Sequence, residues 1–82
     1  MEQVIYSIKA LGMAINRFRK SKHLTQKEAG EAFNIGQATM SSIEQGAAGT
    51  KLETLFRVLA ALNLELVIRP RVDAKQAGRK DW

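Results

Sequence analysis

The 82-residue sequence contains no cysteine and only one proline, one histidine and one tryptophan. The absence of cysteine excludes disulfide bonds, thiolate zinc sites and cysteine nucleophiles. No apolar run approaches the roughly 18 residues that a transmembrane helix needs, and no basic segment leads into an apolar signal region at the start. We therefore expect a cytoplasmic protein. The chain is about half the ~150 residues of a typical domain, which leaves room for one small domain.

Little in the sequence could support catalysis or metal binding. His23 follows a basic run and has no obvious carboxylate or thiol partner, which favours a helix-end residue over an acid or base. Glu28 and Glu31 suit an exposed helix better than a catalytic carboxylate pair. One histidine without cysteine cannot make the usual zinc site, and the loop GAAGTK lacks the Gly-Lys-Ser/Thr order of a phosphate loop. We expect no enzyme, no cofactor and no metal site.

Positive charge is concentrated at the two ends of the chain. The net charge is +5 and the sequence pI is about 10.0. Residues 1–24 carry a net +4, residues 25–68 a net −2 and residues 69–82 a net +3. This balance favours an anionic partner such as nucleic acid. The basic cluster from Arg17 to Lys22 can equally be a solvated helix end, where cations suit the helix dipole.

Periodicity and capping signals predict two helices in the first part of the chain. An amphipathic stripe formed by Ile8, Leu11, Ile15 and Phe18 predicts the first, with Ser7 as its N-cap. The second begins at a capping box, in which Thr25 and Glu28 exchange hydrogen bonds with each other's backbone amides. It carries Ala29, Ala32 and Phe33 inward and ends near Asn34, a residue type that tolerates left-handed backbone angles.

Two further helices follow. The third runs from about Gln37 to Gln45, between Gly36 and Gly46, with Met40 and Ile43 inward. The fourth opens with a second capping box, Thr50 to Glu53. Its apolar stripe comprises Leu52, Leu55, Phe56, Leu59 and Leu62.

After Asn63 the apolar period changes from about 3.6 to 2, which predicts a β-strand over residues 64–69. A lone strand leaves its edges unsatisfied, so the simplest partner is the same strand of a second subunit. The expected dimer-strand residues are Leu64, Leu66, Val67 and Ile68. We therefore expect a DNA-binding domain with its dimerisation strand in residues 1–69. Pro70 opens a polar segment, and residues 70–82 are expected to form a flexible basic tail.

The short connection between the second and third helices predicts a helix-turn-helix. The outward side chains of the third helix suit major-groove reading, since Gln pairs with adenine and Ala or Thr methyls touch thymine. The expected base contacts are Gln37, Ala38, Thr39 and Ser41. The expected phosphate contacts are Ser42, Arg19, Lys22 and Lys51, and each of the cations taken singly can also be an ordinary solvated charge.

This unit resembles the lambda repressor and Cro-like helix-turn-helix family over roughly residues 8–63. The residues that carry the resemblance are Gln26, Gly30, Asn34, Met40, Ile43 and Glu44. The resemblance implies a mainly α, four-helix lambda-repressor-like DNA-binding domain, to which the predicted dimer strand is added. It also implies a phosphate contact for Gln26, although Gln26 can also be simply a good residue for a helix start. A large side chain at Gly30 would force neighbouring helices apart.

The order of four helices, strand and basic tail is similar to that of the HipB-type antitoxins. The segment Ile35–Ser41, the strand LELVIRP and Trp82 carry this likeness. It implies a homodimer bound to a palindromic operator in its own promoter, and neutralisation of a HipA-type serine/threonine kinase toxin. Trp82 is either a toxin anchor or a loose terminal aromatic. A stand-alone or phage-type repressor, and an interaction module that no longer reads DNA, remain alternatives.

Overall fold

The computed structural model describes residues 2–71, which contain four α-helices packed around one core. They are α1 (Ile8–Ser21), α2 (Gln26–Glu31), α3 (Gln37–Glu44) and α4 (Leu52–Ala61). This confirms the mainly helical, four-helix fold. The buried apolar cluster comprises Ile15, Ala29, Ile35, Met40, Ile43, Val58, Leu59 and Leu62. None of these four helices combines the length and the apolar composition that a membrane span requires.

Helix α1 begins where its capping residue predicts. Ser7 is in extended conformation, and its hydroxyl accepts a hydrogen bond from the Ala10 amide at 3.0 Å. This bond satisfies one of the amides that a helix start leaves without an intrahelical partner. Ile15 is buried and Leu11 half-buried, while Ile8, at the start of the predicted stripe, is exposed. The stripe therefore enters the core only from the second turn of the helix.

Helix α2 has the predicted capping box. The Glu28 amide donates to Thr25 Oγ1 at 3.1 Å, and the Thr25 amide donates to Glu28 Oε1 at 2.8 Å. The helix ends at Glu31, and Asn34 has the expected left-handed φ of 57°. Ala32 and Phe33 are both exposed, so their predicted inward positions are wrong. They lie beyond the helix end, where the 3.6-residue period no longer determines which way a side chain points.

Helix α3 lies between two glycines, as predicted. Gly36 is its N-cap, and Gly46 follows its C-terminal end with a φ of +81°. Met40 and Ile43 are buried. A third glycine, Gly12 of α1, allows α1 and α3 to pack closely, because a Cβ built there would lie 2.5 Å from the Ile43 carbonyl oxygen.

Helix α4 starts without the predicted second capping box. Its N-cap is Lys51, which makes no side-chain cap bond, and the Thr50 hydroxyl instead donates to the Ala47 carbonyl at 3.0 Å. The preceding turn therefore competes for the threonine side chain. Within the predicted stripe, Leu59 is buried, whereas Leu52 and Phe56 are exposed.

Residues 64–71 carry no helix and no strand, and no strand occurs elsewhere in residues 2–71. A β-strand is defined by its ladder with a neighbour, which a single chain does not offer to this segment. The predicted strand and its pairing across a dimer therefore stay predictions. Leu64 still contacts the core, whereas Ile68 is 91% exposed.

Candidate nucleic-acid interface

The outward face of α3 presents the small polar side chains predicted to read DNA. Gln37, Ala38 and Thr39 are exposed in its first turn, and Ser42 is exposed one turn later. Ser41 is half-buried, and its hydroxyl accepts a hydrogen bond from Gln45 Nε2 at 3.0 Å. The face therefore offers amide, hydroxyl and methyl groups while Met40 and Ile43 hold the helix to the core, an arrangement suited to base edges.

A shallow depression of about 480 Å³ joins this face to the start of α4. Its lining includes Ala38, Thr39 and Ser42 from α3, together with Lys51 and Thr54. The exposed ammonium group of Lys51 thus lies beside the predicted base-reading residues and is placed to meet a phosphate alongside the helix. Thr54 was missed by the sequence reasoning, which treated α4 only as an apolar stripe.

The phosphate contacts predicted from α1 are placed differently. Lys22 is exposed, but it lines a separate groove against residues 64–71 rather than the depression beside α3. Arg19 is only 7% exposed, and its guanidinium is bound to Glu44 and to the Leu24 carbonyl. We therefore assign Arg19 a structural role in place of the predicted phosphate contact, because each of its three donor nitrogens already binds an acceptor within the protein.

Glu44 holds four hydrogen bonds from three residues. Its Oε2 accepts from Arg19 Nε at 2.6 Å. Its Oε1 accepts from Arg19 Nη2 at 3.0 Å, from Asn16 Nδ2 at 2.8 Å and from Gln26 Nε2 at 3.1 Å. We call Glu44, Arg19, Asn16 and Gln26 the Glu44 network. It ties together α1, α2 and α3, the three helices around the helix-turn-helix.

The Glu44 network keeps its central pair charged. Burial by itself raises the pKa of the Glu44 carboxyl, but hydrogen bonds from Arg19, Asn16 and Gln26 outweigh burial and hold that pKa below its ordinary value. The hydrogen bond to Glu44 raises the pKa of Arg19. In the sequence, Glu44 stands out only as part of the family pattern, and Asn16 carries no signal. The residues lie up to 28 positions apart, so no local spacing relates them.

Gln26 lies half-buried at the first position of α2, and its phosphate contact stays a prediction. Its neighbour Lys27 is exposed on the same first turn and adds a cation that the sequence reasoning did not select. Its position next to Gln26 in the sequence could have identified it as a further candidate phosphate contact.

A second groove, formed by residues 2–6 and 64–71 over α1, exposes apolar side chains. Those exposed are Val4, Tyr6, Leu66, Val67 and Ile68. The Arg69 guanidinium lies 3.4 Å from the Glu2 carboxylate, and Arg71 stacks on the Tyr6 ring at 4.4 Å from its centroid. The two segments are thus held side by side. Trp82, the predicted toxin contact, lies outside the described residues.

Comparison with known proteins relates the chain to regulators of one family. The family model described as helix-turn-helix matches residues 15–68. Antitoxin HipB of Escherichia coli strain K12 is 36% identical over 76 residues, which cover 93% of this chain and 83% of that protein. The ImmF control region 10 kDa protein of Bacillus phage phi105 is 38% identical over 58 residues, 71% of this chain and 64% of that protein.

Two solved structures share the fold of the chain. A HipA-HipB-O2-O3 complex contains a chain that superposes with a TM-score of 0.78 at 34% identity, covering 83% of this chain and 96% of that chain. A HipB-O1-O2 complex gives a TM-score of 0.77 at 34% identity, covering 83% and 99% respectively. Together with the family model and the identity to antitoxin HipB, these findings show that the chain belongs to the helix-turn-helix family and, within it, to the HipB antitoxins.

Proposed function

We propose that this chain is a sequence-specific DNA-binding autorepressor and the antitoxin of a HipA-type serine/threonine kinase toxin. The observation that carries the DNA-binding half is the exposed polar face of α3 beside Lys51, within a helix-turn-helix. The toxin half rests on membership of the HipB antitoxins and on the likeness to HipB in a complex with HipA. The protein acts by binding, without catalysis of its own, and its place in the cell is on the DNA.

In this proposal α3 enters the major groove with its N-terminal turn first. Gln37, Ala38, Thr39 and Ser41 contact base edges, and Gln37 is the main reader because its amide can pair with adenine through two hydrogen bonds. The proposed phosphate contacts are Gln26, Ser42, Lys51 and Lys22, with Lys27 added from the structure. Lys51 is supported by its place in the depression next to α3, whereas Lys22 lines the separate groove against residues 64–71.

A homodimer supplies the second reading helix. Leu66, Val67 and Ile68 expose apolar surface, and the backbone of residues 65–71 makes no hydrogen bond with other backbone groups in the described part of the chain. Pairing residues 64–69 with the same segment of a second copy satisfies that backbone and covers the apolar side chains. A twofold axis then places two copies of α3 on half-sites about 34 Å apart.

The dimer is tested by Val67→Lys, which places a charge in the proposed strand pair. Light scattering is expected to show the wild-type chain as a dimer and the variant as a monomer at the same concentration. Ala60→Lys, at an exposed position of α4, is the matched control and is expected to stay dimeric. A monomeric wild-type chain at high concentration would remove this part of the proposal.

The DNA-binding half is tested with a duplex copied from the region upstream of the chain's own reading frame. We expect tight binding that weakens steeply as salt is raised, because Lys and Arg contacts release counterions from the phosphates. A scrambled duplex of the same length is the control and should bind more weakly by a factor of about 10³ or more. Equal binding to both duplexes contradicts sequence-specific repression, and no binding to either indicates a protein-interaction module.

A stand-alone repressor is the second candidate. The likeness to the ImmF control region 10 kDa protein of a phage, 38% identical over 58 residues, favours it. Co-expression with a HipA-type kinase separates the two, because only an antitoxin retains the kinase on purification. We propose that residues 70–82, including Trp82, form the basic tail that holds the toxin. Removal of residues 72–82 should then lower kinase capture while DNA affinity is retained, and unchanged capture would contradict this role.

A further inference from the structure

Oε1 of Glu44 accepts hydrogen bonds from three side chains on two other helices. The ion pair with Arg19 accounts for only one of these bonds. Glu44 is 8% exposed and Arg19 is 7% exposed, so both are buried. Two of the nitrogens that bind Oε1 belong to Asn16 of α1 and Gln26 of α2, at 2.8 Å and 3.1 Å. The pair therefore also determines where the Gln26 side chain lies.

A glutamine amide carries two N–H donors. In Gln26 one of them is directed to Glu44, and the half-buried side chain leaves the other available at the start of α2. Without an internal acceptor the long side chain would sample several rotamers, and binding a phosphate would then have to order it. An acceptor at position 44 removes that cost before DNA arrives.

We propose that Glu44 is a positioning residue for DNA binding, which holds one amide hydrogen of Gln26 so that the other is presented to a phosphate oxygen. Through the same carboxylate it links this phosphate anchor on α2 to the recognition helix α3, because Glu44 is the last residue of α3. Arg19 keeps the carboxylate charged and oriented. This inference rests on the DNA-binding half of the proposed function.

A purely structural ion pair makes a different prediction. A buried salt bridge can often be replaced by apolar residues of similar volume without loss of stability. If packing were its only role, Arg19→Met with Glu44→Met would bind DNA as the wild-type chain does. The positioning role requires an acceptor for Gln26, which methionine does not offer and glutamine does.

The test compares two double variants, R19M/E44M and R19M/E44Q. Both lack the ion pair, and they differ in whether position 44 carries an oxygen that can accept from Gln26. Affinity is measured on the upstream duplex and on the scrambled duplex, since a phosphate contact is independent of sequence. We expect R19M/E44M to bind both duplexes about tenfold more weakly than R19M/E44Q. This factor corresponds to the conformational entropy lost when one long polar side chain is ordered on binding.

The Q26A substitution supplies the decisive control. In the Gln26→Ala background the two double variants should bind equally, because there is no amide left to position. The salt dependence should not change in any of these variants, since Gln26 is uncharged and displaces no counterion. The proposal is overturned if the two double variants still differ tenfold in affinity in the Gln26→Ala background. It is also overturned if they bind equally when Gln26 is present. Loss of specific binding by the wild-type chain instead overturns the DNA-binding function itself.

An NMR measurement keeps the inference testable if a double variant does not fold. In the folded wild-type chain, one of the two protons on Gln26 Nε2 should exchange slowly with solvent and be displaced from the shift of a free glutamine amide, because it is bound to Glu44. The exposed Gln37 amide is the internal control and should show the averaged behaviour of a free side chain. Averaged signals for Gln26 that match those of Gln37 would overturn the positioning role.

Discussion

Replacing Gly12 with alanine tests how closely α1 and α3 approach each other. A Cβ at this position would lie 2.5 Å from the Ile43 carbonyl oxygen, 2.6 Å from the Glu44 carbonyl oxygen and 2.8 Å from the Glu44 carbonyl carbon. All three are backbone atoms, so no side-chain rotation relieves the clash. The two helices must instead separate by up to about 1 Å to reach ordinary van der Waals distance.

Two opposing contributions determine the magnitude. Alanine is favoured over glycine in the interior of a helix by up to about 1 kcal/mol. Inserting a methyl group into close-packed structure costs about 1 to 3 kcal/mol or more, and a clash with backbone belongs at the upper end. We therefore expect Gly12→Ala to lower the free energy of unfolding by about 2 kcal/mol. For a chain of this size that corresponds to a drop in Tm of roughly 8 to 16 °C.

Denaturant and thermal unfolding followed by circular dichroism measure this effect, at one fixed protein concentration so that any dimer contributes equally. Gly49→Ala is the matched control, because a Cβ there meets nothing within 4 Å. It should leave stability unchanged or raise it by about 0.4 to 1 kcal/mol. If Gly12→Ala were as stable as Gly49→Ala, helix propensity would dominate and the reasoning from close approach would be refuted.

Three other outcomes follow from the structure. Gln37→Ala should reduce the preference for one base at one operator position per half-site by about 1 to 3 kcal/mol. Lys51→Ala should weaken binding to all duplexes alike and reduce the slope of log affinity against log salt by about 1. Selection from randomised duplexes distinguishes the two effects. Because the pKa of Glu44 is lower in the folded than in the unfolded chain, its ionised carboxylate stabilises the folded state. This stabilisation is complete above the unfolded pKa and is lost as pH falls through the folded pKa. When unfolding is measured as a function of acid pH, R19M/E44M should lack this loss of stability. Thr25→Ala should cost about 1 kcal/mol through loss of the capping box, and Thr50→Ala less than half as much; equal losses in unfolding experiments would contradict the caps observed in the structure.

Local chemistry made the helix ends predictable from sequence. The hydroxyls of Ser7 and Thr25 find their partners within three residues, and Asn34 and Gly46, which have positive φ, are of the residue types that tolerate it. Thr50 satisfies the same spacing rule, yet its hydroxyl binds a carbonyl in the preceding turn. A capping pattern therefore identifies a competent side chain, but the path of the backbone decides which group it binds.

Contacts between distant segments were not predictable in the same way. Arg19 and Glu44 lie 25 residues apart, and a basic run at a helix end looks the same whether a cation is buried or solvated. Glycine at position 12 was not predictable from local sequence either, because it is required by the close approach of the α3 backbone. The α3 face could be predicted because Met40 and Ile43 define the inward side, which leaves the reading face opposite.

The exposed apolar segment around Ile68 has a consequence for control of the protein's own level. If two copies must pair to read an operator, the amount of reading-competent protein follows the square of chain concentration while single chains predominate. A twofold fall in the concentration of the chain then removes about three quarters of the dimer, by mass action alone. A single chain also presents unpaired backbone to proteases and to other strands, which hastens that fall. In the proposed dimer, this segment would make repression respond sharply to the concentration of the chain.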